Sequence, residues 1–387
     1  MSTRADYVVA GLGALGSATA YELAGRGHYV VGLERFELGH TNGASYDTSR
    51  ILRHSYHTPA YVRLTQNAYA DWARLEHASG RSLVTKVGGL DLFPPEAAIP
   101  AVDYLDSLTE VGIKHEVLDA GEVTARWPQF HLASNVKALY QRDSSIVPAA
   151  LGTRTMQEQA TRHGADLRPH SPVTGVHDLG EGGIEVETAT GTLRCRGLVV
   201  CADAWVNDVV GHLGVRVPIE VTLEQVTYFQ PEEPARFDPE RMPLWIWMDD
   251  PCFYGFPSYG EATIKAAQDC GGPVVDPEGR TSEREPAMEE RLAAFVSDLL
   301  PGSGAPVRSS RCQYTLTPDR DFVIAPVPGH ESVVVGLGAA HGFKFAPTFG
   351  RLLADLVVDG DTATDLTNFR LDRSALTDPA YAAHWLV

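Results

Sequence analysis

Basic character, paired cysteines and long apolar runs are all missing from this chain of 387 residues. The formal net charge is −18, so nucleic acid and anionic membrane, both polyanions, would repel it and neither is expected as a partner. The five cysteines (Cys195, Cys201, Cys252, Cys270 and Cys312) form no CxxC pair and show no metal-ligand spacing with histidine. Neither a zinc site nor a disulfide framework is indicated, and no metal is expected. So sparse and odd a set suits a reducing compartment. No apolar stretch approaches the ~18 residues that span a bilayer. The chain starts almost directly on its first strand, which leaves no room for a signal peptide, so a cytoplasmic protein is expected. Internal repeats and low-complexity segments are absent too. What is there is ordinary for a globular protein, 44% hydrophobic and 21% charged, and long enough for two domains.

The first thirty-five residues organise the rest. Tyr7–Ala10 reads as an apolar strand that runs into GLGALG, followed by a helix over 17–24, a pair of glycines, and a second apolar strand over 29–33 ending at Glu34. Strand, glycine turn, helix, strand and acid is the unit that binds a dinucleotide. Gly11 permits the tight turn, Gly13 lets backbone approach a pyrophosphate, and Gly16 lets helix and strand close up. Ala14 and Leu15 belong to the glycine turn before the helix, whose free N–H groups favour a phosphate. Glu34 is placed to accept from ribose hydroxyls. FAD and NAD both fit this pattern.

Further along, Ser49-Arg50-Ile51-Leu52-Arg53 sets two arginines on one side of a helical turn, either for one anionic group or as a solvated pair. Helical spacing is clear over 61–79, and helices are also expected over 102–111, 148–162, 283–300 and 347–358. Strand-like runs occupy 84–87, 90–93, 165–170, 184–189 and 192–196. Leu198–Cys201 reads as a buried strand, with Asp203 an odd occupant of the turn after it. Residues 219–275 alternate as antiparallel strands do, with an aromatic patch that includes Trp245, Trp247 and Tyr254; plain core is the simpler account of it. Lys265 lies on a small, apolar strand, where a lysine is commonly edge decoration. A third buried strand, 333–337, precedes Gly338, Gly342 and the last long helix.

In this order, the motifs GLGALG with Glu34, HTNG (40–43) leading to SRILRH, FYGFPS (253–258) before Lys265, RCQYTLTPDRDFVI (311–324) and HGFKF (341–345) resemble the monomeric sarcosine oxidase, N-methyltryptophan oxidase and pipecolate oxidase family of FAD-dependent amine oxidases. The resemblance covers essentially the whole chain and selects FAD over NAD. It implies an α/β fold: a glutathione-reductase-like, Rossmann-type FAD-binding domain formed by residues 1–83, 146–215 and 318–387, and an antiparallel-sheet substrate domain formed by 84–145 and 216–317. It implies that Cys312 carries the flavin covalently, with Arg311 or another cation to favour the thiolate. Lys265 matches the lysine that activates dioxygen. Arg53 and Lys344 match the cations that clamp a substrate carboxylate, and Arg50 a residue beside the flavin ring. Tyr254 and Tyr314 match pocket tyrosines. Arg35, Ser49, Gly338, Gly342 and Phe343 fall within the matched cofactor-binding stretches.

Four residues depart from the sarcosine oxidase pattern. Tyr46 and Asp269 stand where that enzyme has histidines, and Asp269 is free to pair with a substrate ammonium or with Lys265, or to be solvated. Trp245 and Trp247 replace smaller residues and are expected to narrow the substrate pocket; with Asp269 they look more like the piperideine-carboxylate oxidase of nikkomycin biosynthesis. The implied function is oxidation by a monomer of a secondary amine or cyclic imino acid bearing a carboxylate, giving an imine, with dioxygen reduced to hydrogen peroxide. The alternatives are a dehydrogenase on the same scaffold that passes electrons to a quinone or carrier protein, and a flavin-binding protein without turnover.

Overall fold

A computed structural model describes residues 3–386 of the chain; the expected domain ends at residues 1, 2 and 387 lie outside it. Tyr7–Ala10 and Val30–Leu33 pair in parallel, joined by the helix Ala14–Gly25. They sit inside a six-stranded sheet. Its order is Asp166–Arg168, Val30–Leu33, Tyr7–Ala10, Gly197–Val200, His330–Leu337, Val323–Val327, and only the last strand is antiparallel to its neighbour. Successive residues point to opposite faces, and both faces are buried. Val9, Val30, Val199 and Val334 belong to one core cluster, while Val8, Val31, Val200 and Val335 belong to another. This is why these strands read as unbroken apolar runs.

Helix Ala14–Gly25 lies against Ala149–Arg162 and Ala346–Asp359. The approach is close: a Cβ on Gly350 would stand 2.5 Å from the Ala18 backbone. The helix Pro59–Ser79 begins where Thr58 accepts from the Tyr61 amide and Pro59 presets the first turn, and it ends at Gly80 with φ +69°, a conformation glycine adopts without penalty.

The second large sheet has eight strands in the order Ala305–Leu316, Glu220–Gln230, Ile264–Gln268, Phe253–Phe256, Leu244–Trp247, Gly89–Phe93, Lys137–Gln141, Glu116–Asp119. It is antiparallel except at one seam, where Leu244–Trp247 runs parallel to Gly89–Phe93. Residues 137–147 supply two strands, Lys137–Gln141 and Ser145–Val147. Helix Pro286–Leu299 packs on this sheet: Met288, Leu292, Val296 and Leu299 are buried, the last three in one core cluster with strand residues of this sheet. Smaller sheets complete the molecule, a four-stranded one and a three-stranded one formed by Arg50–Leu52, Ser145–Val147 and Thr85–Lys86. Among the described residues, no helix is long and apolar enough to cross a membrane.

Candidate active site

Three cavities adjoin one another in a chain, each sharing lining residues with the next. The widest, about 240 Å³, is lined by Ala10, Leu33 and Cys201, at the C-terminal ends of three parallel strands, and by Gly11, Gly13, Glu34 and Arg35. Ligands of open parallel sheets bind at such a crevice. A side chain on Gly11 (φ +89°) would meet the Cys201 carbonyl at 2.5 Å, and one on Gly16 the Gly11 carbonyl at 1.8 Å. Both glycines are required for strand and helix to approach this closely. The Glu34 carboxylate accepts from the amides of Leu12 (2.8 Å) and Phe36 (3.0 Å), which fastens the glycine turn and leaves lone pairs for a ligand. Burial opposes its ionisation, but these bonds and His40 hold it below the ordinary carboxylate range. Arg35 packs beside Phe36 and Trp205 and pairs with Glu278 at 2.8 Å.

The second cavity, of about 80 Å³, continues from the first past Gly13, Ala44, Ser45, Cys201 and Asp203, and reaches Ala14, Leu15, Cys312, Gly338, Gly342 and Phe343. Together these two cavities fit an FAD: glycines where backbone must approach phosphate, a helix N-terminus, an acid at the far end and a cysteine at the near one. Cys312 and Tyr314 alternate with Arg311 along strand Ala305–Leu316, so Arg311 points the other way, donating to the carbonyls of Leu223, Glu224 and Glu283. Of the two alternatives for a cation favouring the Cys312 thiolate, Arg311 or another, the larger influence comes from another, Arg50. Burial pushes the Cys312 thiol up to about 11, and Arg50 is the cation that opposes this most. Asp203 has φ +48°, and burial lifts its carboxyl to about 6.

The third cavity, of about 100 Å³, shares Arg50, Tyr314, Ala340 and Phe343 with the second and is closed by Arg53, Tyr56, Ile246, Tyr254, Asp269, Arg320 and Lys344. Arg50 and Arg53 are not on a helical turn. Residues 50–52 are extended and pair with Ser145–Val147, and both arginines reach the cavity because that strand ends at Leu52. Arg53 donates to Asp91 at 2.8 Å. Among the described residues Lys344 Nζ donates only to neutral oxygens, the Tyr56 hydroxyl and the His341 carbonyl, each at 2.9 Å. Burial, with Arg53 and Arg320 nearby, pushes Lys344 well below the usual lysine range. Tyr254 and Tyr314 bring their hydroxyls to 3.4 Å of each other, and burial raises both.

Several expected positions need correction. Trp245 and Trp247 do not line the pocket. On strand Leu244–Trp247 it is Ile246 that faces the cavity, and both tryptophans face Phe295 of helix Pro286–Leu299 on the other side of the sheet. Tyr46 lines the widest cavity rather than this one, and its hydroxyl donates to the Arg311 carbonyl. Asp269 does not pair with Lys265; Arg320 grips it with two bonds of 2.8 and 2.9 Å. Lys265 lies just behind the cavity wall. Its ammonium donates to Asp47 Oδ2 (2.6 Å), the Ser49 carbonyl (3.0 Å) and Ser49 Oγ (3.3 Å). The partners Asp47, Asp91 and Arg320 are not legible in the sequence; positions 47, 91 and 320 carry no local signal that links them to a cation or acid 38 to 218 residues away.

Residues 6–356 match the family model described as FAD dependent oxidoreductase. A monomeric sarcosine oxidase of Streptomyces avermitilis is 37% identical over 376 residues, covering 94% of this chain and 96% of that protein. An N-methyl-L-tryptophan oxidase of Escherichia coli is 29% identical over 380 residues, covering 95% and 99%. Among solved structures, the open form of NikD, an unusual amino acid oxidase essential for nikkomycin biosynthesis, is similar with a TM-score of 0.85 and 27% identity, over 95% of this chain and 98% of that one.

Proposed function

Because the chain belongs to the FAD dependent oxidoreductase family, we propose that it oxidises a secondary amine or cyclic imino acid carrying a carboxylate, of N-methyl amino acid, pipecolate-like or piperideine-carboxylate-like type. One observation supports this most: Lys344, buried in a small cavity that adjoins the flavin site, has neutral oxygens as its hydrogen-bond partners. A substrate carboxylate would supply the missing anion, with Arg53 beside it. The named relatives are oxidases of sarcosine and N-methyl-L-tryptophan, which agrees with a small amino acid as substrate.

In this reading residues 1–83, 146–215 and 318–387 form the FAD domain, and 84–145 with 216–317 the substrate domain. Cys312 holds the flavin through its sulfur. FAD, when bound, supplies acceptance of a hydride from the carbon next to nitrogen and return of two electrons to dioxygen. The chain's own part is positioning. Arg53 and Lys344 fix the carboxylate, which orients the C–N bond toward the second cavity. Tyr254 and Tyr314, both kept neutral by burial, offer hydroxyls to the substrate. Arg50 forms the shared wall, and Lys265 lies behind it as a fixed positive charge for the oxygen half-reaction. The amine leaves as an imine that hydrolyses or rearranges afterwards. The second reading, a dehydrogenase that delivers electrons to a quinone or carrier protein, draws on the pairing of Lys265 with Asp47, which offsets the charge dioxygen would meet.

Anaerobic bleaching of the flavin by a panel of N-methyl, cyclic and primary amino acids, followed by admission of air, tests both. The first reading expects bleaching by carboxylated secondary amines and rapid reoxidation with peroxide formed. Slow reoxidation favours the second, and no bleaching by any member overturns both.

A further inference from the structure

Asp47 holds a backbone conformation that glycine adopts with less strain. Its φ is +77°, in the left-handed region, which aspartate tolerates better than most residues but still less readily than glycine. An acid kept in such a place points to a use for its charge. Both carboxylate oxygens are engaged: Oδ2 lies 2.6 Å from Lys265 Nζ, and Oδ1 accepts from the Tyr228 hydroxyl at 2.5 Å. The pair is dry, with side chains 4% exposed for Lys265 and 9% for Asp47. The three donors of the ammonium all go to residues 47–49, so its direction is fixed by that segment.

We propose that Asp47 is a positioning residue for Lys265, anchoring the ammonium behind the Ser49–Arg50 wall and keeping it protonated through the neutral pH range. The groups around the lysine make the requirement plain. Arg50, on the same segment as Asp47, stands 3.9 Å from the carboxylate. Tyr228 and Phe256 present their rings from neighbouring strands, and Cys312 acts on the lysine from strand Ala305–Leu316. Burial and then Arg50 drive Lys265 toward the free amine, while Asp47 opposes them; the balance leaves Lys265 at about 8. Burial also resists ionisation of Asp47, but Lys265 and Arg50 bring it down to about 2. Removing the carboxylate would leave the lowering influences almost unopposed. The consequence for dioxygen rests on the function proposed above; the control of protonation does not.

The chain has only five lysines, Lys86, Lys114, Lys137, Lys265 and Lys344, so side-chain NMR of the lysine-labelled holoenzyme can follow Lys265 directly, with Lys265→Met identifying its signal. The expected midpoint is about 8 in the wild type, and lower by about one unit or more in Asp47→Asn. Asp47→Gly suits the left-handed backbone and serves as a second variant, expected to show the same fall. A midpoint that stays put or rises in either variant overturns the proposal. Stopped-flow reoxidation of the reduced holoenzyme supplies the kinetic arm: in Asp47→Asn the rate should hold near about pH 6 and drop at about pH 8, ahead of the wild type. If Lys265→Met reoxidises as fast as the wild type, the oxygen role of Lys265 falls, and the NMR midpoint still decides the role of Asp47. If Lys265→Met is slow and Asp47→Asn keeps the wild-type pH profile, the proposal falls alone.

Discussion

Arg53 and Asp91 meet at 2.8 Å in the interior, and both side chains are almost wholly buried. The arginine also lies over the rings of Tyr56 and Tyr104, at 5.2 and 6.0 Å. One guanidinium thus answers a buried acid on one side and offers charge to the cavity on the other. Burial raises Asp91, and Arg53 is what draws it back.

Arg53→Ala should therefore fail twice. Loss of the anchor is expected to weaken binding of carboxylated substrates by about 2–5 kcal/mol, read as a rise in KM. Loss of the ion pair leaves Asp91 uncompensated, which should lower stability by about 3–5 kcal/mol in denaturant unfolding. An unchanged KM would remove Arg53 from the carboxylate site.

Lys344→Met should behave differently, because among the described residues Lys344 hydrogen-bonds to no carboxylate. Substrate affinity falls, while the unfolding midpoint holds or rises as a buried amine is replaced by an apolar chain. The wild type should also bind an unreactive carboxylate more tightly as pH falls. Lys344 sits well below the ordinary lysine range when free, the bound anion favours its protonated form, and so binding takes up a proton. Titration of the flavin spectrum at several pH values checks this, and Lys344→Met should flatten the dependence.

Cys312→Ser should release the flavin on acid precipitation, while the wild type keeps its colour in the pellet. Colour in the supernatant of both would show that Cys312 forms no bond to the cofactor.

Trp245→Ala is expected to cost about 3–5 kcal/mol of stability, because Trp245 is 1% exposed and packs in the core against Phe295. KM should stay near that of the wild type. A large KM effect at preserved stability would return Trp245 to the pocket.

What the sequence reveals and what it hides divide along contact distance. The strand–glycine–helix–strand opening is legible because each instruction is local: the apolar run, Gly11, Gly16, and Glu34 at the next strand end. Helix Pro59–Ser79 carries its own start and stop in Thr58, Pro59 and Gly80. By contrast, Arg50–Leu52 suggests a helical turn until Ser145–Val147, almost a hundred residues later, pairs with it. Alternation over Leu244–Trp247 does put both tryptophans on one face, but helix Pro286–Leu299 decides which face is the core. The cations were visible as residue types; their acids were not, since Asp47 meets Lys265 and Asp91 meets Arg53 only through the folded backbone.

The thread of the six-stranded sheet bears on how the enzyme is made. Gly197–Val200 has Tyr7–Ala10 on one side and His330–Leu337 on the other, so the sheet whose strand ends line the cavities that would hold FAD is finished only when translation has passed Leu337. Nascent chains stalled before His330 should emerge from the ribosome unable to retain FAD, and capture of the vitamin-derived group becomes one of the last events in maturation.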